Sequence, residues 1–157
     1  MPRITPFLWF DKKAEEAMNF YVSIFKNSRV VKIAHFGKKG EAPGGEVMVA
    51  TFELEGQEFC ALNGGPEFSF SPAISFYVQC ETQREVDDLW GKLSAGGESL
   101  GCGWVKDKYG VTWQIIPNIL PEMLQDKDAE KSERVRKAML QMQKIEIGQL
   151  EQAYRQA

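Results

Sequence analysis

The sequence predicts an α+β chain built of two βαβββ modules in tandem and closed by a set of helices. Three observations carry that prediction. The order strand, helix, three strands can be read in residues 4–65. It recurs in residues 73–117, and apolar positions of the two copies fall at a nearly constant offset. Leu8 stands against Phe76 and Phe10 against Val78 at a spacing of 68, while Phe20 with Leu89 and Ile24 with Leu93 stand at 69. A self-match on that scale reads as the duplication of one supersecondary unit.

Each element has its own warrant. ITPFLWF (4–10) alternates as a strand, with Thr5, Phe7 and Trp9 on one face and Pro6, Leu8 and Phe10 on the other. In the following segment Ala14, Ala17, Met18, Tyr21 and Phe25 recur at steps of three and four, the stripe of an amphipathic helix, which Asn27-Ser28 ends. RVVKIAHF (29–36) and GEVMVATFEL (45–54) are strands separated by KKGEAPGG, a glycine-rich loop with no packing residues. GQEFCALNGG (56–65) supplies a turn, a short fourth strand and a glycine stop. In the second copy AISFYVQC (73–80) is a strand whose Ile74, Phe76 and Val78 fill the space under the next helix. That helix, residues 82–97, turns Val86, Leu89, Trp90 and Leu93 inward. A weak strand around 98–100 precedes a hairpin of 103–107 and 111–117 turning at Lys108-Tyr109-Gly110.

The last strand poses a question. Val111, Trp113 and Ile115 share one face and Thr112, Gln114 and Ile116 the other, so a long amide sits mid-strand in an apolar run. Gln114 lines a cleft, replaces a metal-binding carboxylate, or meets solvent. Beyond it the character changes. ILPEMLQDKD is a short helix or turn. Val135, Ala138, Met139 and Met142, then Ile145, Ile147, Leu150 and Tyr154, mark an amphipathic stretch that Gly148 breaks in two. The division is 1–118 for the paired modules (1–66 and 72–118) and 119–157 for a C-terminal helical extension.

The totals fit this size and class. A chain of 157 residues with 43% hydrophobic and 26% charged residues reads as one soluble globular domain with an appendage. A net charge of −3 argues against broad electrostatic capture of nucleic acid, and no apolar run is long enough for a membrane span. MPRITP runs directly into a strand without a leader pattern, so the expected location is cytoplasmic. Cys60, Cys80 and Cys102 are odd in number and lack CxxC spacing, which fits a reducing compartment better than a disulfide framework or structural zinc.

The strings ITPFLWFDKKAEEAMNFY, FCALNGGP, SFYVQCETQREVDDLW, GCGWVKDKYGVTWQIIP and KAMLQMQKIEIGQLEQAY cover almost the whole chain. They resemble the PhnB-like branch of the vicinal oxygen chelate superfamily, the glyoxalase, bleomycin-resistance and extradiol dioxygenase fold. The resemblance implies curved mixed sheets around a cleft and pairing of modules in a homodimer. Metal-using members hold one divalent ion through His or Glu on the first and last strands of paired modules. Carried across, those positions are Thr5, Cys60, Ala73 (or Ser75) and Gln114, which complete no imidazole-carboxylate set. Neither a chelated metal nor another cofactor is therefore expected. The one histidine, His35, falls off every ligand position. The branch also carries the label 3-demethylubiquinone 3-methyltransferase. Adenosylmethionine enzymes usually cradle their cofactor on a glycine-rich strand-to-helix turn, whereas Gly101-Cys102-Gly103 precedes a hairpin strand.

The resemblance places Phe7, Trp9, Cys60, Ser75, Tyr77, Trp104, Thr112 and Gln114 in the cleft, with Asn63 as a further candidate. Aromatic walls with a few directed polar groups suit a small-molecule pocket. The same aromatics could equally fill the core against the C-terminal helices. None of these positions carries His, Asp or Glu, the usual proton-transfer groups, and Glu46, Glu53 and Glu58 read as exposed strand or turn residues. The expected function is binding of a small aromatic or amphipathic molecule without a chelated metal. An enzyme of lyase, isomerase or dioxygenase type with an atypical site is the alternative, and a filled cleft would leave a structural dimer module.

Overall fold

The structure is a computed structural model that describes residues 3–37 and 46–156, and it divides into two compact units, Met1–Phe70 and Ser71–Ala157. The KKGEAPGG loop lies outside the described residues.

The first unit runs β1 (Phe7–Phe10), α1 (Ala14–Ile24), β2 (Arg29–His35), β3 (Val47–Leu54) and β4 (Gln57–Asn63). Its sheet has the order β1-β4-β3-β2, with β1 parallel to β4 and the other neighbours antiparallel. A parallel pair needs a crossover, and α1 belongs to it. Ala14, Ala17, Met18, Tyr21 and Ile24 are buried, as are Leu8, Ala50, Phe52, Phe59 and Ala61 of the sheet. Tyr21 stacks on Phe52 at 6.4 Å, and Phe52 on Phe59 at 5.6 Å. Fully burying side chains of this size contributes about 1.5–3 kcal/mol each, so this helix-to-sheet face holds the unit together. Phe25, predicted on the helical stripe, is buried but extended, one residue past the helix end.

Asn63, the further cleft candidate, holds the start of α1. It is buried, its Oδ1 accepts from the Ala14 amide at 2.9 Å, and its Nδ2 donates to the Val47 carbonyl at 2.9 Å. The first amides of a helix have no partner within the helix, and α1 has no side-chain cap of its own. Asn63 supplies one from another strand.

The second unit repeats the order as β5 (Phe76–Cys80), α2 (Gln83–Ser94), β6 (Glu98–Gly101), β7 (Trp104–Lys106) and β8 (Thr112–Pro117), with sheet order β5-β8-β7-β6. The weak strand predicted around 98–100 is present as β6. Strand β5 begins later than predicted, and this overturns the packing assigned to Ile74. It lies in a turn, its amide bonded to the Ser71 carbonyl at 3.3 Å, with a relative exposure of 74%. Helix α2 is capped by Thr82, whose hydroxyl accepts from the Glu85 amide, and it buries Val86, Leu89 and Leu93. Asp107, 2% exposed, organises the β7–β8 turn: its carboxylate accepts from the Tyr109 and Val111 amides and from Trp113 Nε1 at 2.9, 3.1 and 2.8 Å.

Three helices follow, α3 (Ile119–Leu124), α4 (Ala129–Leu140) and α5 (Ile147–Arg155). Leu120, Met123, Val135, Met142, Ile145 and Leu150 close over Ile116 in one core cluster. The break between α4 and α5 falls at 141–146, ahead of the predicted Gly148, which sits in the first turn of α5. The physical reason is that backbone groups of this segment find partners outside a helix. Cys102 and Gly103 amides donate to the Met142 and Gln143 carbonyls, each at 2.8 Å. The Gln83 side chain bridges the Ile145 carbonyl and the Ile147 amide at 2.9 and 2.7 Å. Gly103 has φ +84, and a Cβ there would press within 3.0 Å of Ile116 and Ile145 side-chain atoms, at 2.8 and 2.9 Å, so glycine is required on both counts.

Candidate functional site

Cross-strand partners share a face, so the first sheet can be read as rows. One row crosses all four strands: Phe7, Cys60, Thr51, Lys32. The next is Trp9, Leu62, Val49, Ala34. These rows form the face away from the buried Leu8–Ala61–Ala50 row. They are hollowed into a concavity of ≈ 390 Å³ lined by Thr5, Phe7, Lys32, Ala34, Val49, Thr51, Glu58 and Cys60. Phe7 is 58% exposed, a large aromatic left on an open strand face.

Of the predicted cleft residues, Phe7 and Cys60 meet here. Trp9 does not line the concavity. Its Nε1 donates to the Gly65 carbonyl at 2.9 Å, its ring meets Phe68 edge-on at 4.9 Å, and a Cβ at Gly64 would overlap it. The indole is committed to the loop after β4.

The other predicted residues gather on the second sheet, where Tyr77, Gln114 and Trp104 form a cross-strand row. Gln114, half-buried, donates from Nε2 to the Ser75 hydroxyl at 2.8 Å. The mid-strand amide is thus bonded to a hydroxyl of its own unit. Thr112, 1% exposed, has a hydroxyl with no hydrogen-bond partner among the described residues. Tyr77 is half-exposed; burial of its ring surroundings, then the nearby Cys80, hold its phenol above the ordinary value, so it remains protonated at neutral pH.

The concavity has an acidic group that the expected cleft residues did not include, Glu58. It is half-buried, lines the concavity, and has the Thr5 hydroxyl 3.4 Å from its carboxylate. The signal was available: Glu58 and Cys60 lie two apart on β4 and must share a face. Lys32 was also missed, because the β2–β3 register shifts between Val30 and Lys32 and breaks the alternation of RVVKIAHF.

The donors in the concavity, a carboxylate, two hydroxyls and a thiol that already meets one of them, Thr51, at 3.5 Å, do not fit the imidazole-carboxylate ion site of metal-using relatives. His35 is exposed on β2 and does not line it. Among the described residues no group of three or more His, Cys, Asp or Glu side chains is placed to hold a metal ion, and no helix is long and apolar enough to cross a membrane.

Two four-stranded mixed sheets of the same order, each with a helix between its parallel strands, define a glyoxalase-like protein with added C-terminal helices. The 3-demethylubiquinone-9 3-methyltransferase family matches residues 2–116, and the chain belongs to that PhnB family. It is similar to the PhnB protein from Bacillus cereus at 44% identity, over 74% of this chain and 99% of that one, with a TM-score of 0.66. Two more distant structures share the fold. One is a Pseudomonas aeruginosa protein, 19% identical, TM-score 0.64, covering 74% of this chain and 98% of its own. The other is the fosfomycin resistance protein FosX from Listeria monocytogenes, 18% identical, TM-score 0.55, covering 80% and 98%. No curated protein gives a significant match. Helices α3–α5 lie beyond the family match.

The adenosylmethionine that the family name implies does not fit the Gly101-Cys102-Gly103 turn. Its three amides are spent on the Ser99 hydroxyl and the Met142 and Gln143 carbonyls, leaving none for a cofactor.

Proposed function

We propose that the chain binds a small aromatic or amphipathic molecule in the concavity of its first sheet, without a chelated metal. The observation that carries this reading is the hollow of ≈ 390 Å³ with an exposed Phe7 at its wall and apolar Ala34 and Val49 beside hydroxyls, a thiol, a carboxylate and an ammonium group. That volume falls in the range of small-ligand sites, and mixed apolar and sparse polar lining gives affinity and orientation respectively. The second reading, an enzyme with an atypical site, is favoured by Glu58 alone. A single half-buried carboxylate lining the hollow is a candidate general base, and its reaction would need no ion.

The test is methyl-resolved NMR on the full chain against a library of small aromatics. Binders are expected to shift the Ala34 and Val49 methyl signals, and Phe7→Ala should weaken them by fivefold or more. Shifts that leave these methyls untouched, or affinities indifferent to Phe7→Ala, overturn the proposal.

A further inference from the structure

Charge is unevenly settled around the concavity. Glu53 and Glu58 are direct cross-strand partners, and like charges placed so are destabilising. Arg29 compensates only Glu53, with Nε 2.7 Å from Oε2. Among the described residues the Glu58 carboxylate keeps a single long contact, from the neutral Thr5 hydroxyl at 3.4 Å. On the far side of the same hollow Lys32 has no ion-pair partner among the described residues. No ion pair joins the two among the described residues, and β3 lies between their strands. With two spacings of about 4.8 Å across the sheet and two residues of about 3.3 Å along it, their backbones stand about 12 Å apart. Thr51 and Cys60 continue the cross-strand row of Lys32, Glu58 stands one row further along β4 opposite Glu53, and Phe7, Ala34 and Val49 also line the hollow.

Resting on the reading of this hollow as a ligand site, we propose that it takes a small zwitterion. The ligand's ammonium or other cationic end meets Glu58, its carboxylate or other anionic end meets Lys32, and an apolar middle lies over Cys60 and Thr51 against Phe7. One uncompensated charge of each sign makes the hollow neutral overall but strongly dipolar. A ligand with a single charge satisfies one end and leaves the other unpaired, and a neutral ligand leaves both.

The test uses four probes of one shape with the full chain: 4-(aminomethyl)benzoate, 4-methylbenzoate, 4-methylbenzylamine and 4-methylbenzyl alcohol. Affinity is read from the Ala34 and Val49 methyl signals at low salt. The zwitterion should bind about fivefold tighter than either single-charge probe, the gain from one partly exposed ion pair. Lys32→Met should abolish its advantage over 4-methylbenzylamine, and Glu58→Gln its advantage over 4-methylbenzoate. Both substitutions are at partly or fully exposed strand positions, and a dispersed amide spectrum verifies that each variant folds. Equal binding of all four probes at these methyls overturns the zwitterion and leaves the small-molecule reading standing. A preference that survives both substitutions overturns it too. If no probe moves these methyls, both proposals fall.

Discussion

Replacing Asp107 tests how the strand that carries Gln114 is held. In Asp107→Ala two donors lose their acceptor in the interior, the Val111 amide and Trp113 Nε1, on residues 3% and 2% exposed. The third, the Tyr109 amide, lies on a half-buried residue and can turn to water. A buried donor left unsatisfied costs about 1–3 kcal/mol, so two put the loss at about 2–6 kcal/mol, before any repacking. Asp107→Asn separates the contributions. It keeps an acceptor for the two amides but turns an NH₂ toward the indole, so about 1–2 kcal/mol should be lost. Urea unfolding followed by far-UV circular dichroism and by tryptophan fluorescence measures both, and the two probes also check whether the units unfold together. A loss below 1 kcal/mol in Asp107→Ala, or an Asn variant as unstable as the Ala variant, refutes the assignment of this carboxylate as the organiser of the turn.

Elemental analysis after mild purification is expected to find no stoichiometric Zn, Ni, Fe or Mn; one equivalent retained through dialysis would contradict the donor argument. Sedimentation at micromolar concentration is expected to show a homodimer, since exposed Phe7, Val30, Val31, Phe36 and Met48 leave apolar surface on the first unit; a stable monomer counts against it. Iodoacetamide at pH 8 should modify Cys102 before Cys80, because Cys80 is fully buried and its thiol is pushed up to about 12 by burial and then by Glu85. Its folded value lies above the ordinary 9.0, so the folded state holds the proton longer, and this contribution to stability is lost as pH climbs from about 9 to about 12. Early loss of the Cys80 thiol at pH 8 would refute that assignment.

Patterns of local spacing were legible, while partners distant in sequence were not. The α1 stripe and the Phe7 and Cys60 faces follow from periods of 3.6 and 2, which any short window contains. Glu58 obeys the same period as Cys60, yet its place just after the Glu55-Gly56 turn made it read as a turn residue. Lys32 was hidden by a register shift visible only once β2 is paired with β3. The bonds of Trp9 and Asn63 were not legible because their partners, Gly65 for one and Ala14 and Val47 for the other, lie 56, 49 and 16 residues away. The α4–α5 break escaped for the same reason, its backbone partners being Cys102, Gly103 and Gln83.

The docking of the C-terminal helices through main-chain carbonyls has a consequence for tracing them among relatives. Carbonyl oxygens at 142 and 143 are chemically the same whatever side chains those positions carry, so substitution there can drift without loosening the grip. The demanding partners sit inside the family-matched region: Gly103, which admits no Cβ, and Gln83, whose amide reaches both sides of Ile145–Ile147 as a strand neighbour would. The fingerprint of the appendage is therefore written in the module that receives it. A relative with Gln at the place of Gln83 is expected to carry such an appendage even where its tail shares no recognisable wording with this one; Gly103 says less, because its φ of +84 and its closeness to Ile116 ask for glycine whether or not the helices follow.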